Sequence, residues 1–107
     1  MRRGEVYWVD FDPARGGEIQ KRRPAVIISN DDANRRMNRL QVVPFTSKTS
    51  RPFPAEPIVS VSGRPHKALA TQLRTVTKEH VGDYVGVLSP RDLGVVEEGI
   101  LIQLDLL

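Results

Sequence analysis

Apolar residues recur along the chain with two periods, and the switch between them separates a long β-rich part from a short helical end. Residues 4–11, Gly-Glu-Val-Tyr-Trp-Val-Asp-Phe, roughly alternate and are rich in β-branched and aromatic types, which predicts a strand. Alternation sends at least one of Tyr7 and Trp8 inward, and Trp8 is assigned to the core. Residues 25–29, Ala-Val-Ile-Ile-Ser, form a continuous apolar run that suits a strand buried on both faces. A further strand is predicted over 40–47, with Pro44 arguing for an edge or a bulge. Strands over 58–62, 67–73 and 83–89 complete the set, with a turn at 63–65. Residues 12–22 predict a loop of about the length at which structureless loops are functional, and a mobile lid is expected there. Turn residues dominate 30–38, with room for one helical turn, and a second such turn fits within 74–82.

The helical period starts at Ser89. This serine suits an N-cap, Pro90 suits N1, and Asp92 follows three residues after the serine, a capping-box-like start. Leu93, Val96, Ile100, Leu104 and Leu107 then recur at spacings of three and four and form one stripe. Val95, Ile102 and Leu106 widen it beyond what one small sheet needs, which predicts a homodimer. Short strands followed by a terminal helix predict a mainly β protein built on a small, strongly bent sheet or barrel. With no repeat, low-complexity tract or linker, residues 1–107 are expected to form one domain.

Composition narrows the chemistry. No run of about 18 apolar residues exists, so no membrane-spanning helix is expected. The basic start gives way to charge and proline by residue 13, unlike a signal peptide. The absence of cysteine removes disulfides and thiolate metal sites and fits a cytoplasmic setting. Asp31–Asp32 and Glu97–Glu98 are adjacent pairs rather than spaced ligands, so no metal is expected, and no motif asks for a cofactor. There is no glycine-rich phosphate loop and no nucleophile-elbow serine. The net charge of +3 is unevenly placed: residues 1–54 hold 11 Lys and Arg against 6 Asp and Glu, and the remainder holds 5 against 7. A basic half predicts a polyanionic partner.

The cations concentrate in Lys21-Arg22-Arg23-Pro24. A residue before proline is pushed into an extended conformation, and Pro24 suits the start of a strand. Arg23 is therefore expected at a fixed place on a sheet rim, presenting a planar fork of donors that matches phosphate.

The ordered string Gly-Glu-Val-Tyr-Trp-Val-Asp-Phe-Asp-Pro, then Gly16-x-Glu18, then Arg-Pro-Ala-Val-Ile-Ile-Ser, with Val-Val-Pro-Phe-Thr-Ser and Gln72-x-Arg74, resembles the MazF/PemK family of toxin endoribonucleases. Asn30, Asp31, Asn34 and Arg35 extend the resemblance, which covers essentially the whole chain. It implies a Kid/CcdB-like fold, a twisted SH3-like antiparallel barrel with a C-terminal helix, assembled as a homodimer. It also implies metal-independent cleavage of single-stranded RNA, leaving a 2′,3′-cyclic phosphate and a 5′-hydroxyl, and a co-expressed antitoxin. Arg23 and Thr46 are the implied catalytic residues, with Ser47 as a helper. Chemistry agrees: attack by the RNA's own 2′-hydroxyl needs alignment and donors for the phosphorane, which a guanidinium and a hydroxyl supply.

One position departs from the family. Many relatives carry an acid directly before the glutamine of Gln-x-Arg, where this chain has Thr71, which cannot serve as a carboxylate base. His66, an imidazole able to exchange a proton, is a candidate replacement, Thr71 itself is kept as a possible catalytic helper, and His80 reads as part of a surface turn. Arg15, Glu18, Lys21, Arg22, Lys48, Arg51, Gln72 and Arg74 are assigned to RNA, with Tyr7 and Trp8 able to stack on bases. The antitoxin's inhibitory segment is expected to be acidic and disordered until bound, since it must cover a basic groove. Two other functions fit the fold: a gyrase poison of the CcdB type, or a non-catalytic SH3-like nucleic-acid-binding module. The poisons use an aromatic residue at the C-terminal tip, whereas this chain has none after Tyr84; retention of Arg23 and Thr46 speaks against the module.

Overall fold

The computed structural model describes residues 1–107. In chain order the elements are β1 (Glu5–Asp10), β2 (Arg22–Ile27), α1 (Asp31–Arg36), β3 (Arg39–Thr46), β4 (Ile58–Val61), β5 (Arg64–Ala68), β6 (Arg74–Thr77), β7 (Val81–Val87) and α2 (Pro90–Gln103). Single 3-10 turns at Ala70–Gln72 and Lys78–His80 flank β6. All pairings are antiparallel, in the order β4-β5-β3-β2-β1-β7, with β6 also on β3. The result is a curled half-barrel closed by one C-terminal helix, the mainly β architecture expected. No helix is long and apolar enough to cross a membrane.

β3 organises the sheet because it has three partners. One edge pairs with β2; the other pairs first with β6, over 39–42, and then with β5, at Phe45 and Thr46. Pro44 sits at the changeover, fully buried and paired with Ala25, so β3 is not an edge strand, but Pro44 falls at a break in one of its two ladders. Its carbonyl accepts from the Leu69 amide at 2.9 Å. A strand residue's N–H and C=O point to the same side, so the donor that proline lacks falls where one partner has ended and the next begins.

Both faces of the central strands are buried. Val26, Val43 and Phe45 join Val6, Val59, Val61, Leu88 and Val96 in one cluster; Ala25, Ile27, Leu40 and Val42 join Val9, Phe11 and Val76 in the other. The continuous apolar run of β2 needs both. Residues 67–73 are not one strand: β5 ends at Ala68, the 3-10 turn follows, and β6 starts at Arg74. The expected turn at 63–65 closes one residue earlier, with Ser62 and Gly63 both at positive φ (51° and 78°), the twist a two-residue hairpin needs.

Asn30 caps α1 by accepting from the Ala33 amide at 2.9 Å. Asn34 is buried, bonded to Ser29 through its side chain, while the Lys78 ammonium reaches its carbonyl. Asp31 accepts from the Arg3 amide (2.7 Å) and from Asn34 (3.1 Å). These bonds, the Arg3 amide first, hold the Asp31 carboxyl below its ordinary pKa. The Asn-Asp-Asp-Ala-Asn stretch is thus a scaffold that pins the N-terminus to α1.

In α2 the Ser89 hydroxyl accepts from the Asp92 amide at 3.1 Å, and Asp92 itself accepts from the Ser60 amide at 3.0 Å, tying the helix to β4. Val96 and Gly99 are buried, and Leu93, Val95 and Ile100 pack on the first cluster. The expected stripe stops there: Leu104 and Leu107 lie past the helix and are exposed. Asp105, at φ 58°, ends the helix in a Schellman pattern, with Leu106 donating to the Leu101 carbonyl and Asp105 to that of Ile102.

Two tests follow from these contacts. A Cβ on Gly99 would meet the Pro57 ring at 3.2 Å, whereas one on Gly94 meets nothing within 4 Å. Gly99→Val should cost about 1–3 kcal/mol and Gly94→Ala should stabilise by about 0.5–1 kcal/mol in urea unfolding; the opposite order would contradict the helix placement. A depressed native pKa stabilises above the unfolded carboxylate value and loses that contribution as pH falls through the native one. Wild type should therefore outlast Asp31→Asn in thermal melts above about pH 4, the gap closing in stronger acid.

Candidate functional site

The pairing of β2 with β3 stops at Ala25–Pro44, although both strands run on. Continuing the register beyond that last rung sets Arg23 across from Thr46. Thr46 in turn pairs directly with Lys67 of β5. Thr46 and Lys67, directly opposed, share a face with Cβ atoms about 5 Å apart, and the extended register puts Arg23 on that same face across the gap. Between β2 and β3 the sheet parts, and a cleft of about 380 Å³ opens, lined by Trp8, Lys21, Arg22, Arg23, Pro24, Phe45, Ser47 and His66. Of the three residues in this row, Arg23 lines the cleft, and Thr46 and Lys67 lie outside the lining.

Arg23 does not stand at the mouth of its strand, as the proline suggested, but inside it, paired with Val9. Its Nε donates to the Gln20 carbonyl at 3.0 Å, which fixes the guanidinium and leaves the terminal nitrogens free. The Thr46 hydroxyl accepts from the Lys48 amide at 3.2 Å. With its oxygen so engaged, its proton is available to an incoming acceptor.

Arg22 lies over the Trp8 ring, 5.4 Å from its centroid, and reaches Asp83 at 3.9 Å. Gly82 leaves room for it, since a Cβ there would stand 2.8 Å from the guanidinium. Trp8 is 37% exposed, contrary to its assignment to the core. The inward aromatic is Tyr7, edge-on to Tyr84 with its hydroxyl donating to Glu5 at 3.1 Å. Burial first, and then the Glu5 carboxylate, raise the Tyr7 pKa. Trp8 instead faces the parting of the sheet, where its cover is a guanidinium.

The 12–22 loop is docked. Its base is closed by the Lys21 amide donating to the Asp12 carboxylate (2.8 Å) and by the Phe11 amide donating to the Lys21 carbonyl (2.9 Å). The Glu18 carboxylate accepts from the Arg15 amide at 2.7 Å, which makes it a former of the loop's own turn. The Gln72 amide takes the Ile19 N–H (3.3 Å) and donates to the Gly17 carbonyl (3.2 Å), and Ile19 packs on the second cluster. Gln72 is therefore a latch on the loop.

His66 lies edge-on to Phe45 at 6.2 Å, with Nδ1 3.2 Å from the Arg64 carbonyl. Ser47 lines the cleft, and Arg15, Lys48 and Arg51 are exposed on the two bordering loops. Thr71 is outside the cleft lining, its hydroxyl donating to Glu56 at 2.7 Å. Arg74 is not gathered with the others. It sits four residues along β3 from Thr46, about 13 Å at strand rise, opposite Val42 and stacked on Phe11 at 5.5 Å. There it lines a second cavity of about 230 Å³ with Asp10, Asp12, Thr75, Thr77 and His80, and its Nη1 is buried without a partner. No three His, Asp or Glu side chains cluster as metal ligands would. Sequence reasoning missed Lys67 and Glu56, which carry no motif; pairing of β5 with β3 brings them in.

Residues 2–104 match the family model described as PemK-like, MazF-like toxin of type II toxin-antitoxin system. Endoribonuclease MazF9 of Mycobacterium tuberculosis is 38% identical over a 115-residue alignment that covers 99% of this chain and 98% of the relative. Endoribonuclease toxin MazF of Escherichia coli K12 is 33% identical over 98 residues, 91% of this chain and 87% of its own. Among solved structures, a mycobacterial endoribonuclease in complex with its cognate antitoxin aligns with a TM-score of 0.84 at 25% identity, covering 100% of this chain and 97% of that one. MazF of Deinococcus radiodurans aligns with a TM-score of 0.86 at 23% identity, covering 98% and 96%.

The latch can be tested by proteolysis. Gln72→Ala should free the loop and speed tryptic cutting after Arg15 at least threefold without lowering the melting temperature by more than a few degrees. An unchanged cutting rate would mean the loop is held by other contacts.

Proposed function

Because the chain belongs to the PemK-like, MazF-like toxin family of type II toxin–antitoxin systems and is an endoribonuclease of that family, we propose that its cleft cleaves single-stranded RNA without a metal. The observation that carries this reading is the register that sets Arg23 across from Thr46 at the parting of β2 and β3. A phosphodiester crossing the gap meets two guanidinium nitrogens from one strand and a hydroxyl from the other. Those donors match the oxygens on which charge grows as the 2′-hydroxyl attacks phosphorus. The products are a 2′,3′-cyclic phosphate and a 5′-hydroxyl. Arg23 acts through its charge and shape, since a guanidinium does not give up its proton at neutral pH.

The bordering residues read as binding groups. Trp8, exposed and capped by Arg22, offers a surface on which a base can stack. Lys21, Arg22, Arg15, Lys48 and Arg51 give a salt-dependent hold on the chain's phosphates. Glu18 and Gln72 shape the loop that the RNA passes, and Arg74 serves a nucleotide farther along. Residues 1–107 act as one toxin domain in the cytoplasm. A cognate antitoxin with an acidic, initially disordered segment covers the same basic cleft, which is consistent with the antitoxin-bound mycobacterial neighbour. The free edge of β7, with Val87 65% exposed, and the leucines at the end of α2 support a homodimer.

Purified protein incubated with long RNA in EDTA, followed by mapping of the new ends, tests the reaction. Arg23→Ala should lose about 10²–10³ in rate with its fold intact, and Arg23→Lys should also be poor because a point charge makes no bidentate contact. Cleavage by the Ala variant within threefold of wild type would overturn the assignment.

A further inference from the structure

The row that faces the scissile phosphate consists of donors only: the Arg23 guanidinium, the Thr46 hydroxyl and the Lys67 ammonium. Attack by a 2′-hydroxyl also needs a group that takes its proton, and none of these three does so at neutral pH. A carboxylate is held at the Lys67 end. Glu56, in the loop before β4, has only 13% of its side chain exposed. Its Oε1 is 3.6 Å from the Lys67 Nζ, and its Oε2 accepts from the Thr71 hydroxyl at 2.7 Å. Lys67 also donates to the Ser50 carbonyl at 3.3 Å, and its backbone pairs with that of Thr46. Each oxygen of Glu56 is therefore gripped by a different element, one residue removed from Thr46.

Stability alone is a poor reason for this arrangement, since a largely buried ion pair is often no better than two apolar side chains. Among the other carboxylates near the cleft, Asp12 and Glu18 are committed to the turns of the 12–22 loop by the Lys21 and Arg15 amides, and Asp83 stands against Arg22 at 3.9 Å. His66, the remaining group able to accept a proton, lines the cleft from the face opposite the one that Thr46 and Lys67 share.

We propose that Glu56 is the proton acceptor in RNA cleavage, with Thr71 and Lys67 as its positioning residues; this rests on the endoribonuclease reading above. The 2′-hydroxyl gives its proton to Glu56 as its oxygen bonds to phosphorus. The bond from phosphorus to the 5′-oxygen breaks, and the departing oxygen takes a proton from water. Glu56 then releases its proton to solvent.

The test compares kcat, KM and their pH dependence on one long single-stranded RNA for wild type, Glu56→Gln, Glu56→Asp and the double variant Glu56→Gln/Thr71→Asp. Glutamine keeps an acceptor for Thr71 but takes no proton. Its kcat should fall about 10²–10⁴-fold with KM within threefold, and the rise of rate with pH on the acid side should vanish. Aspartate keeps the acid limb but, one methylene short of its anchors, should lose at least tenfold in kcat. The Thr71 oxygen lies 2.7 Å from that of Glu56, so a carboxylate at position 71 should restore at least tenfold in the double variant and bring back the acid limb. Wild-type kcat and pH profile in both single variants would overturn the assignment, as would an acid limb abolished by His66→Asn but kept in Glu56→Gln. Wild-type protein that leaves RNA intact overturns the endoribonuclease reading itself, whereas active wild type beside an equally active Glu56→Gln removes only Glu56.

Discussion

The rest of the structure depends on the pairing of β2 with β3, in which Ala25 faces Pro44, Val26 faces Val43 and Ile27 faces Val42. All six residues are buried; Val26 and Val43 belong to one cluster and Ala25, Ile27 and Val42 to the other, on opposite faces of the sheet. A slip of one residue would turn every side chain of β2 to the other face. Val26 would leave the helix-covered core, and Arg23 would part from Thr46. Burying each such side chain stabilises by roughly 1.5–3 kcal/mol, so hydrophobic packing outweighs any preference of the charged residues. The polar chemistry at the end of the ladder is aligned by apolar contacts several residues away.

The same strand shows why an opening exists where it does. β3 must leave β6 and take up β5 within two residues, and the changeover falls at a proline that has no donor to offer. On its other edge the ladder with β2 ends at that same proline. The gap between Arg23 and Thr46 thus opens at the same residue as the strand exchange on the opposite edge. A residue with both backbone groups at position 44 would lack a partner for its N–H.

Local patterns made β1, β2 and the cap of α2 legible, because each rests on periodicity or on a proline or serine acting on its immediate neighbours. Thr46 stands out through the family resemblance and not through any local pattern. What stayed hidden depends on partners far along the chain. The strand expected over 67–73 reads as one apolar run, yet its halves serve different neighbours of β3, and no local pattern records a change of partner. Trp8 and Tyr7 were exchanged because alternation fixes which residues share a face but not which face is covered. The leucines after Gln103 keep the helical spacing while Asp105 breaks the helix. Glu56 lies between two short apolar stretches with no recognisable spacing; its meaning arises from contacts with Lys67 and Thr71, which only the fold supplies.

The latch between Gln72 and the 12–22 loop bears on how such a protein can diversify. Gln72 grips the loop through the main-chain amide of Ile19 and the main-chain carbonyl of Gly17, two atoms that every amino acid other than proline possesses. The path of the loop is therefore held independently of most of the side chains it displays. Arg15, Gln20 and Lys21 are exposed on it and can be exchanged without redrawing that path. A lineage with this fold can vary the side chains that the loop displays by substitution on a fixed backbone frame, leaving the strands beneath it untouched.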